Sequence, residues 1–166
     1  MEASTVEDRN ERPDICGPCG GECCRTRPGF EAPERFLRAA DPAAHLAAAL
    51  ASGEWLLARH VGVPWRGGVP PPDEVRWREI LCPRPATVEE RRLGRAFASG
   101  ERSPCVFLEE RGCRLAFAER PRMCRSLEPS AAGECLAAFG PGEAAAAWLP
   151  HQALVEEARR RAGVGR

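Results

Sequence analysis

The sequence contains no lysine and no tyrosine, so arginine carries all 24 of its basic charges. Its 24 acidic residues balance them, and the formal net charge at pH 7 is zero. Proteins that bind nucleic acid or anionic membranes through electrostatics usually show a basic excess or a basic stripe. We therefore expect no nucleic-acid partner and no membrane partner, while a protein partner stays open.

Long apolar runs are lacking as well. No stretch of the chain approaches the roughly 18 uninterrupted apolar residues of a membrane-spanning helix, and the charged segment 1–14 does not resemble a secretory signal. The total of 166 residues suits one domain with a modest core. We therefore predict a cytoplasmic protein with a disordered lead over residues 1–14 and a single domain over residues 15–162.

Common catalytic motifs are missing too. The sequence has no P-loop, no G-x-G-x-x-G, no G-x-S-x-G and no H-E-x-x-H. Its three histidines, His45, His60 and His151, have no metal-ligand spacing to one another, so we expect them to be structural or surface residues. The sequence therefore identifies no substrate site, and whether the protein is an enzyme stays open.

Cysteine, in contrast, is abundant, with nine residues grouped mainly in two blocks. The first block is C-x2-C-x3-C-C over residues 16–24, and the second is C-x7-C-x10-C over residues 105–124. A C-x2-C turn puts two sulfurs on one side of a tight loop, and structural zinc sites combine such a pair with a distant pair. Four thiolates also hold iron–sulfur clusters. In a reducing cytosol such blocks more often bind metal than form disulfides.

The first four residues of this block, CGPC, also match a thioredoxin active site. That site needs a buried apolar strand before the motif and a helix after it, which helps to lower the pKa of the first thiol. The flanking residues here are ERPDI and GGE, and neither fits. Metal binding is therefore the better interpretation of the first block. Cys82 has no partner spacing, and we expect it to be a buried, inert thiol.

The secondary-structure signals predict an α+β fold, with helices around a small antiparallel sheet. Helices are expected from Pro33, from the Asp41-Pro42 start, from the capping box Thr87–Glu90 to about Ala98, and from about Gly142 with a break at Pro150. Strands are expected at 54–61 and 75–81, with a hairpin across 105–117 that turns near Gly112. The glycine-rich segment 15–29 and residues 63–74 are predicted to be loops.

The two cysteine blocks together resemble the YkgJ-type cysteine-cluster family, described as putative zinc- or iron-chelating domains. The shared pattern is a C-x2-C-x3-CC block, a Cys-x-Phe-Leu segment, a Gly-Cys turn, and an Arg-Pro pair shortly before a final Cys-Arg. The matching residues are Cys16, Cys19, Cys23, Cys24, Cys105, Phe107, Leu108, Gly112, Cys113, Arg120, Pro121, Cys124 and Arg125.

This resemblance implies that seven cysteines are ligands of zinc or iron, with a 4Fe–4S cluster as one form of the iron. They are Cys16, Cys19, Cys23, Cys24, Cys105, Cys113 and Cys124. Cys135 would complete a set of eight, and neighbouring arginines (Arg25, Arg114, Arg122 and Arg125) would offset the thiolate charge. Such a shared site requires the loop near 16–24 to pack on the 105–124 hairpin.

Three other interpretations stay open at this level. The protein would be a small iron–sulfur oxidoreductase or protein-modifying enzyme if a cluster acts on a substrate. It would be a zinc-stabilised interaction module if the metal is structural. It would be a thiol redox sensor if Cys23 or Cys24 forms a disulfide with a distant cysteine such as Cys113 or Cys124, because adjacent cysteines bridge each other only with strain.

Overall fold

The computed structural model describes residues 18–26, 28–63, 69, 72–97, 103–110, 112–130 and 135–165. Within these ranges the chain is a small α+β domain with three two-stranded antiparallel sheets, as the sequence predicts. The α-helices are α1 (Glu22–Thr26), α2 (Glu34–Leu37), α3 (Pro42–Ala51), α4 (Asp73–Arg76), α5 (Val88–Leu93), α6 (Arg122–Arg125), α7 (Pro141–Trp148) and α8 (Gln152–Ala162). The strands are β1 (Trp55–Val61), β2 (Glu79–Pro85), β3 (Leu108–Glu109), β4 (Gly112–Cys113), β5 (Leu127–Glu128) and β6 (Leu136–Ala137), and two 3₁₀ helices span Phe117–Glu119 and Leu149–His151.

The hydrophobic core lies between the β1–β2 sheet and the longer helices. The register of β1 and β2 runs from Trp55 opposite Pro85 to Val61 opposite Glu79. Helix α3 packs along α8, and α7 packs against β2. The ring of Phe36 lies 6.0 Å from each of the rings of Trp55 and Trp148. Burial of these aromatic side chains stabilises the packing of the helices against the β1–β2 sheet.

The local start signals of two helices are confirmed. The side chain of Asp41 accepts a hydrogen bond from the backbone N–H of Ala44 at 3.0 Å and caps α3. Thr87 and Glu90 form the predicted capping box of α5. That helix ends at Leu93 instead of near Ala98, because Gly94 takes the left-handed conformation that terminates a helix.

The predicted strand at 75–81 is wrong in its first half. Helix α4 occupies the start of that segment, and β2 extends instead to Pro85. Proline is tolerated in β2 because both prolines occupy positions whose backbone N–H would point away from β1. Leu81 and Pro83 point their backbone groups away from β1, towards Gln152 and Glu31. By the same alternation, Pro85 also removes no ladder hydrogen bond.

The segment 15–29 contains a helix that the sequence analysis did not predict. Gly20 and Gly21 have positive φ values of 64° and 80° and form the turn before α1. The five residues of α1 contain no glycine, and the N–H of Cys24 donates to the carbonyl of Gly21. The glycines therefore mark where this helix begins, because they absorb the turn that precedes it.

The predicted hairpin near Gly112 and the predicted helix break at Pro150 are both present. The hairpin near Gly112 is confirmed, although its strands β3 and β4 have only two residues each. The break at Pro150 is confirmed as the 3₁₀ turn between α7 and α8. The disordered lead 1–14 and most of the loop 63–74 lie outside the described residues. No helix in the described ranges is both long enough and apolar enough to cross a membrane.

Candidate functional site

Five of the seven predicted ligand cysteines lie in one region, here called the thiol cluster. Three of them, Cys23, Cys105 and Cys113, each act electrostatically on the thiol of Cys124. Two of them, Cys24 and Cys113, also pack against the core beside the buried Cys105. The members of the thiol cluster are Cys23 and Cys24 of α1, Cys105, Cys113 of β4 and Cys124 of α6.

A backbone hydrogen bond joins the two cysteine blocks. The N–H of Cys105 donates to the carbonyl oxygen of Cys24, with an N···O distance of 2.8 Å. Residues next to Cys105 are in turn joined to the end of β2, since Val106 N–H donates to the carbonyl of Ala86 at 3.0 Å. The predicted packing of the 16–24 segment on the 105–124 segment is therefore confirmed for the described residues.

Gly29 allows the backbone that follows α1 to approach Cys124 of α6 closely. Its N–H donates to the sulfur of Cys124, and a Cβ built at this position would lie only 2.3 Å from that sulfur. The next residue, Phe30, accepts a hydrogen bond from the N–H of Met123 at 3.0 Å. A side chain at position 29 would therefore displace the Cys124 sulfur or the backbone that holds it.

Glu31, which is not among the predicted site residues, connects the thiol cluster to the hydrophobic core. Its Oε1 accepts from the N–H of Ala32 and from the N–H of Arg122, both at 2.9 Å. Its Oε2 accepts from Arg35 at 3.0 Å. Its carbonyl accepts from the indole Nε1 of Trp148 at 2.8 Å. A single glutamate carries no motif, so no sequence signal could have found this role.

The adjacent thiols Cys23 and Cys24 share a hydrogen bond that separates their pKa values. The hydrogen bond from the Cys24 thiol is the main cause that lowers the pKa of Cys23 to about 6, against burial and with help from nearby N–H groups and from Arg120. The same hydrogen bond, together with burial, strongly raises the pKa of Cys24. This hydrogen bond therefore favours the thiolate form of Cys23 and the thiol form of Cys24.

The deeper thiols of the cluster stay protonated at neutral pH. Burial is the main cause that raises the pKa of Cys105 to about 11 and the pKa of Cys124 to about 12. Neighbouring cysteines add to both shifts, because a second negative charge at short range is unfavourable. A cation that binds here would offset both effects.

Arginines lie near the thiol cluster, although they are only partly the predicted ones. Arg120 lowers the pKa of Cys23, and both Arg84 and Arg114 act in the same direction on Cys105. The Arg114 guanidinium lies 4.9 Å from the ring centroid of Phe107. The Arg25 side chain instead makes a hydrogen bond to the carbonyl of Gly20.

The remaining cysteines lie elsewhere or are not described. Cys19 is exposed just before α1, and Cys135 is half-buried just before β6. Cys82 is buried in the core, as expected, and burial alone raises its pKa to about 12. Cys16 lies outside the described residues.

The donor chemistry of the cluster fits zinc and iron. Thiolates are soft ligands that suit both metals, and backbone N–H groups and cationic side chains commonly support them. Across the described ranges, however, no group of three or more histidine, cysteine, aspartate or glutamate side chains is arranged to hold a metal ion. Metal binding would therefore require the sulfurs to draw closer together or residues beyond these ranges to contribute.

Comparisons of the chain with protein-family models, with curated proteins and with solved structures give no match. The resemblance to the YkgJ-type family consequently stays a prediction from the motif residues.

Proposed function

We propose that the protein is a cytoplasmic metal-binding protein of the cysteine-cluster type, which holds zinc or iron through the thiol cluster together with Cys16 and Cys19. The observation that carries the proposal is the hydrogen bond from Cys105 N–H to the carbonyl of Cys24. This contact brings the C-x3-C-C end of the first block against the second block. The motif resemblance to the YkgJ-type family supports the same assignment.

The electrostatics of the thiols favour a cation as the ligand. The Cys23 thiolate would bind first, because its pKa is already about 6. The buried thiols Cys105 and Cys124 would lose their protons as the metal binds, which makes metal affinity depend on pH. Zinc would supply a structural cross-link between α1, the segment from Cys105 to Cys113, and α6, whereas an iron–sulfur cluster would supply electron transfer.

The first test is anaerobic purification, followed by elemental analysis and a visible absorption spectrum of the same sample. We expect stoichiometric zinc or iron. Brown protein with acid-labile sulfide that bleaches on reduction would select the iron–sulfur form and bring the oxidoreductase or protein-modifying interpretation forward. Colourless protein with zinc would select the structural form.

The matched variants are C24S and C105S, with C82S as the control. Each of the first two removes one sulfur of the thiol cluster and should lower the bound metal strongly. C82S removes a buried sulfur that belongs to neither cysteine block and should leave the metal content unchanged. Equal metal content in all three variants and the parent protein would contradict the proposal.

The second candidate function is a thiol redox sensor, and the pair Cys23 and Cys24 favours it. A thiolate is the reactive form of cysteine, and Cys23 acts electrostatically on the thiol of Cys124. With hydrogen peroxide as the oxidant, the Cys23 thiolate and the Cys124 thiol would give up two electrons and one proton to form one disulfide, while the peroxide takes up these electrons, that proton and a second proton from solvent and becomes two waters. Mass spectrometry of metal-free protein after peroxide treatment tests this, and it becomes the leading function if purified protein is folded without metal.

A further inference from the structure

A cleft next to the thiol cluster has features that metal binding does not use. It has a volume of about 830 Å³ and lies between α2, the 3₁₀ helix Phe117–Glu119 and α6. Helix α6 contributes Arg122 and Arg125 to the cleft and also carries Cys124. We propose that this cleft binds a small anionic molecule through a phosphate or carboxylate group.

One charge pair in the cleft is already balanced. The carboxylate of Glu31 is buried, and it accepts hydrogen bonds from Arg35 and from two backbone N–H groups. The Nη1 of Arg35 also donates to the carbonyl of Glu119 at 2.8 Å. This pair ties α2 to the neighbouring 3₁₀ helix, so its charges serve the fold and leave little for a ligand.

Two other arginines of the cleft, Arg38 and Arg122, are exposed at its surface. The side chains of Arg38 and Arg122 make no hydrogen bond or ion pair with any residue in the described ranges. Arg125 adds a third positive charge, and its Nε donates to the carbonyl of Arg120. Guanidinium groups form paired, charge-assisted hydrogen bonds with carboxylates and phosphates, and they keep their charge at all physiological pH values.

The cleft also contains glutamates, which weaken the binding of an anion but do not outnumber the arginines among its described lining residues. The described residues that line the cleft include four arginines and three glutamates, so they carry one net positive charge, and the carboxylates of Glu34 and Glu119 are exposed. An oxyanion is therefore favoured over a cation, and the two carboxylates weaken its binding.

The test is a calorimetric titration of the reduced full chain with inorganic phosphate and, separately, with succinate, at low ionic strength because salt screens such contacts. We expect saturable binding of at least one probe. R38Q and R122Q should each weaken it about tenfold, the loss typical of one charge-assisted hydrogen bond. E34Q and E119Q should strengthen it, because each removes a repelling charge.

The control variant is R95Q. Arg95 is exposed, lies outside the cleft and has no ion pair within the described residues, so it offers the same charge change at another place. R95Q should leave the affinity unchanged. Binding of phosphate alone or succinate alone supports the proposal and identifies the ligand group.

Three results would overturn the proposal: no binding of either probe, an equal loss in R95Q, or weaker binding in E34Q and E119Q. The proposal does not depend on metal binding by the thiol cluster. Circular dichroism spectra of the variants show whether any loss comes from misfolding.

Discussion

The two halves of the molecule are built on different physical principles. The half around β1, β2, α3, α7 and α8 is a continuous apolar core, in which Leu46, Ile80 and Trp148 are fully buried. The half that carries the thiol cluster consists of helices and strands of two to six residues. Elements this short bury little apolar surface, and they depend on hydrogen bonds to the core. A ligand that joined these short elements would therefore add to the stability of the half that carries the thiol cluster.

Two buried cysteines of the same hydrophobic core, Cys82 and Cys105, differ in what surrounds their sulfurs. Burial alone raises the pKa of Cys82 to about 12. At Cys105 burial raises the pKa to about 11, while an N–H from Phe107 and the charges of Arg84 and Arg114 act in the opposite direction. Burial therefore acts unopposed on the pKa of the Cys82 thiol, whereas a nearby N–H group and two guanidinium groups partly oppose it at Cys105.

The largest expected effect is that of Trp148→Ala, which tests whether the core supports both halves. We expect a loss of about 3–5 kcal/mol in the free energy of unfolding, because a buried indole leaves a cavity and Glu31 loses the hydrogen bond from Nε1. Urea unfolding measures the change. Trp77→Ala removes an exposed indole and is the control, with an expected change within about 0.5 kcal/mol. Equal losses in the two variants would refute the assignment of the core.

The next effect is that of Glu31→Gln, which weakens the connection between the halves. We expect a loss of about 2–3 kcal/mol, because a glutamine amide cannot accept from Arg35 and from two N–H groups at once. The Cys124 thiol should also be alkylated faster, since a neutral amide oxygen accepts the hydrogen bond from the Arg122 N–H, at the start of α6, more weakly than a carboxylate does. Glu34→Gln, at an exposed position three residues away, should change neither quantity. Slow alkylation of Cys124 in both variants would show that Glu31 does not hold α6.

A smaller effect is expected for Gly29→Ala, which acts inside the cysteine-bearing half. The added Cβ would meet the Cys124 sulfur at 2.3 Å, and we expect a loss of about 1–3 kcal/mol from overpacking. Metal uptake should fall as well, because this sulfur and the N–H that supports it must shift. Gly165→Ala adds the same methyl group in open space and serves as the control. An unchanged stability and metal content in Gly29→Ala would contradict the close approach.

The last prediction concerns pH and applies to reduced, metal-free protein. The pKa of Cys23 is about 6 in the folded state and 9.0 as the reference value, so between these values the unfolded state binds more protons and stability rises with pH. Above pH 9 the raised pKa values of Cys105 and Cys124 act in the opposite direction, because only the unfolded state loses those protons. Urea midpoints across pH 5 to 10 measure the trend.

Cys23→Ser should remove the rise between pH 6 and pH 9 and leave the decline above pH 9. Alkylation gives an independent readout, since the rate at Cys23 should show a midpoint near 6. A midpoint near 9 would show that the hydrogen bond from Cys24 does not form.

Local signals predicted the elements whose causes lie within a few residues. Asp41 caps α3, and Thr87 with Glu90 caps α5, because these side chains bond to backbone groups only three residues away. The position of β2 was missed for the opposite reason. Whether proline fits a strand depends on which side of that strand is paired, and Gln152 and Glu31, both distant in the sequence, determine the partner on the outer side.

The candidate site divides in the same way. The spacing of the cysteines and the α+β class can be read from the residues, since both depend on composition and short-range order. Which thiols meet, which one of an adjacent pair has the lower pKa, and why position 29 must be glycine were decided by tertiary structure. Burial, charge and hydrogen bonding at a sulfur are set by segments that lie far apart in the chain, as the contact between Cys24 and Cys105 shows.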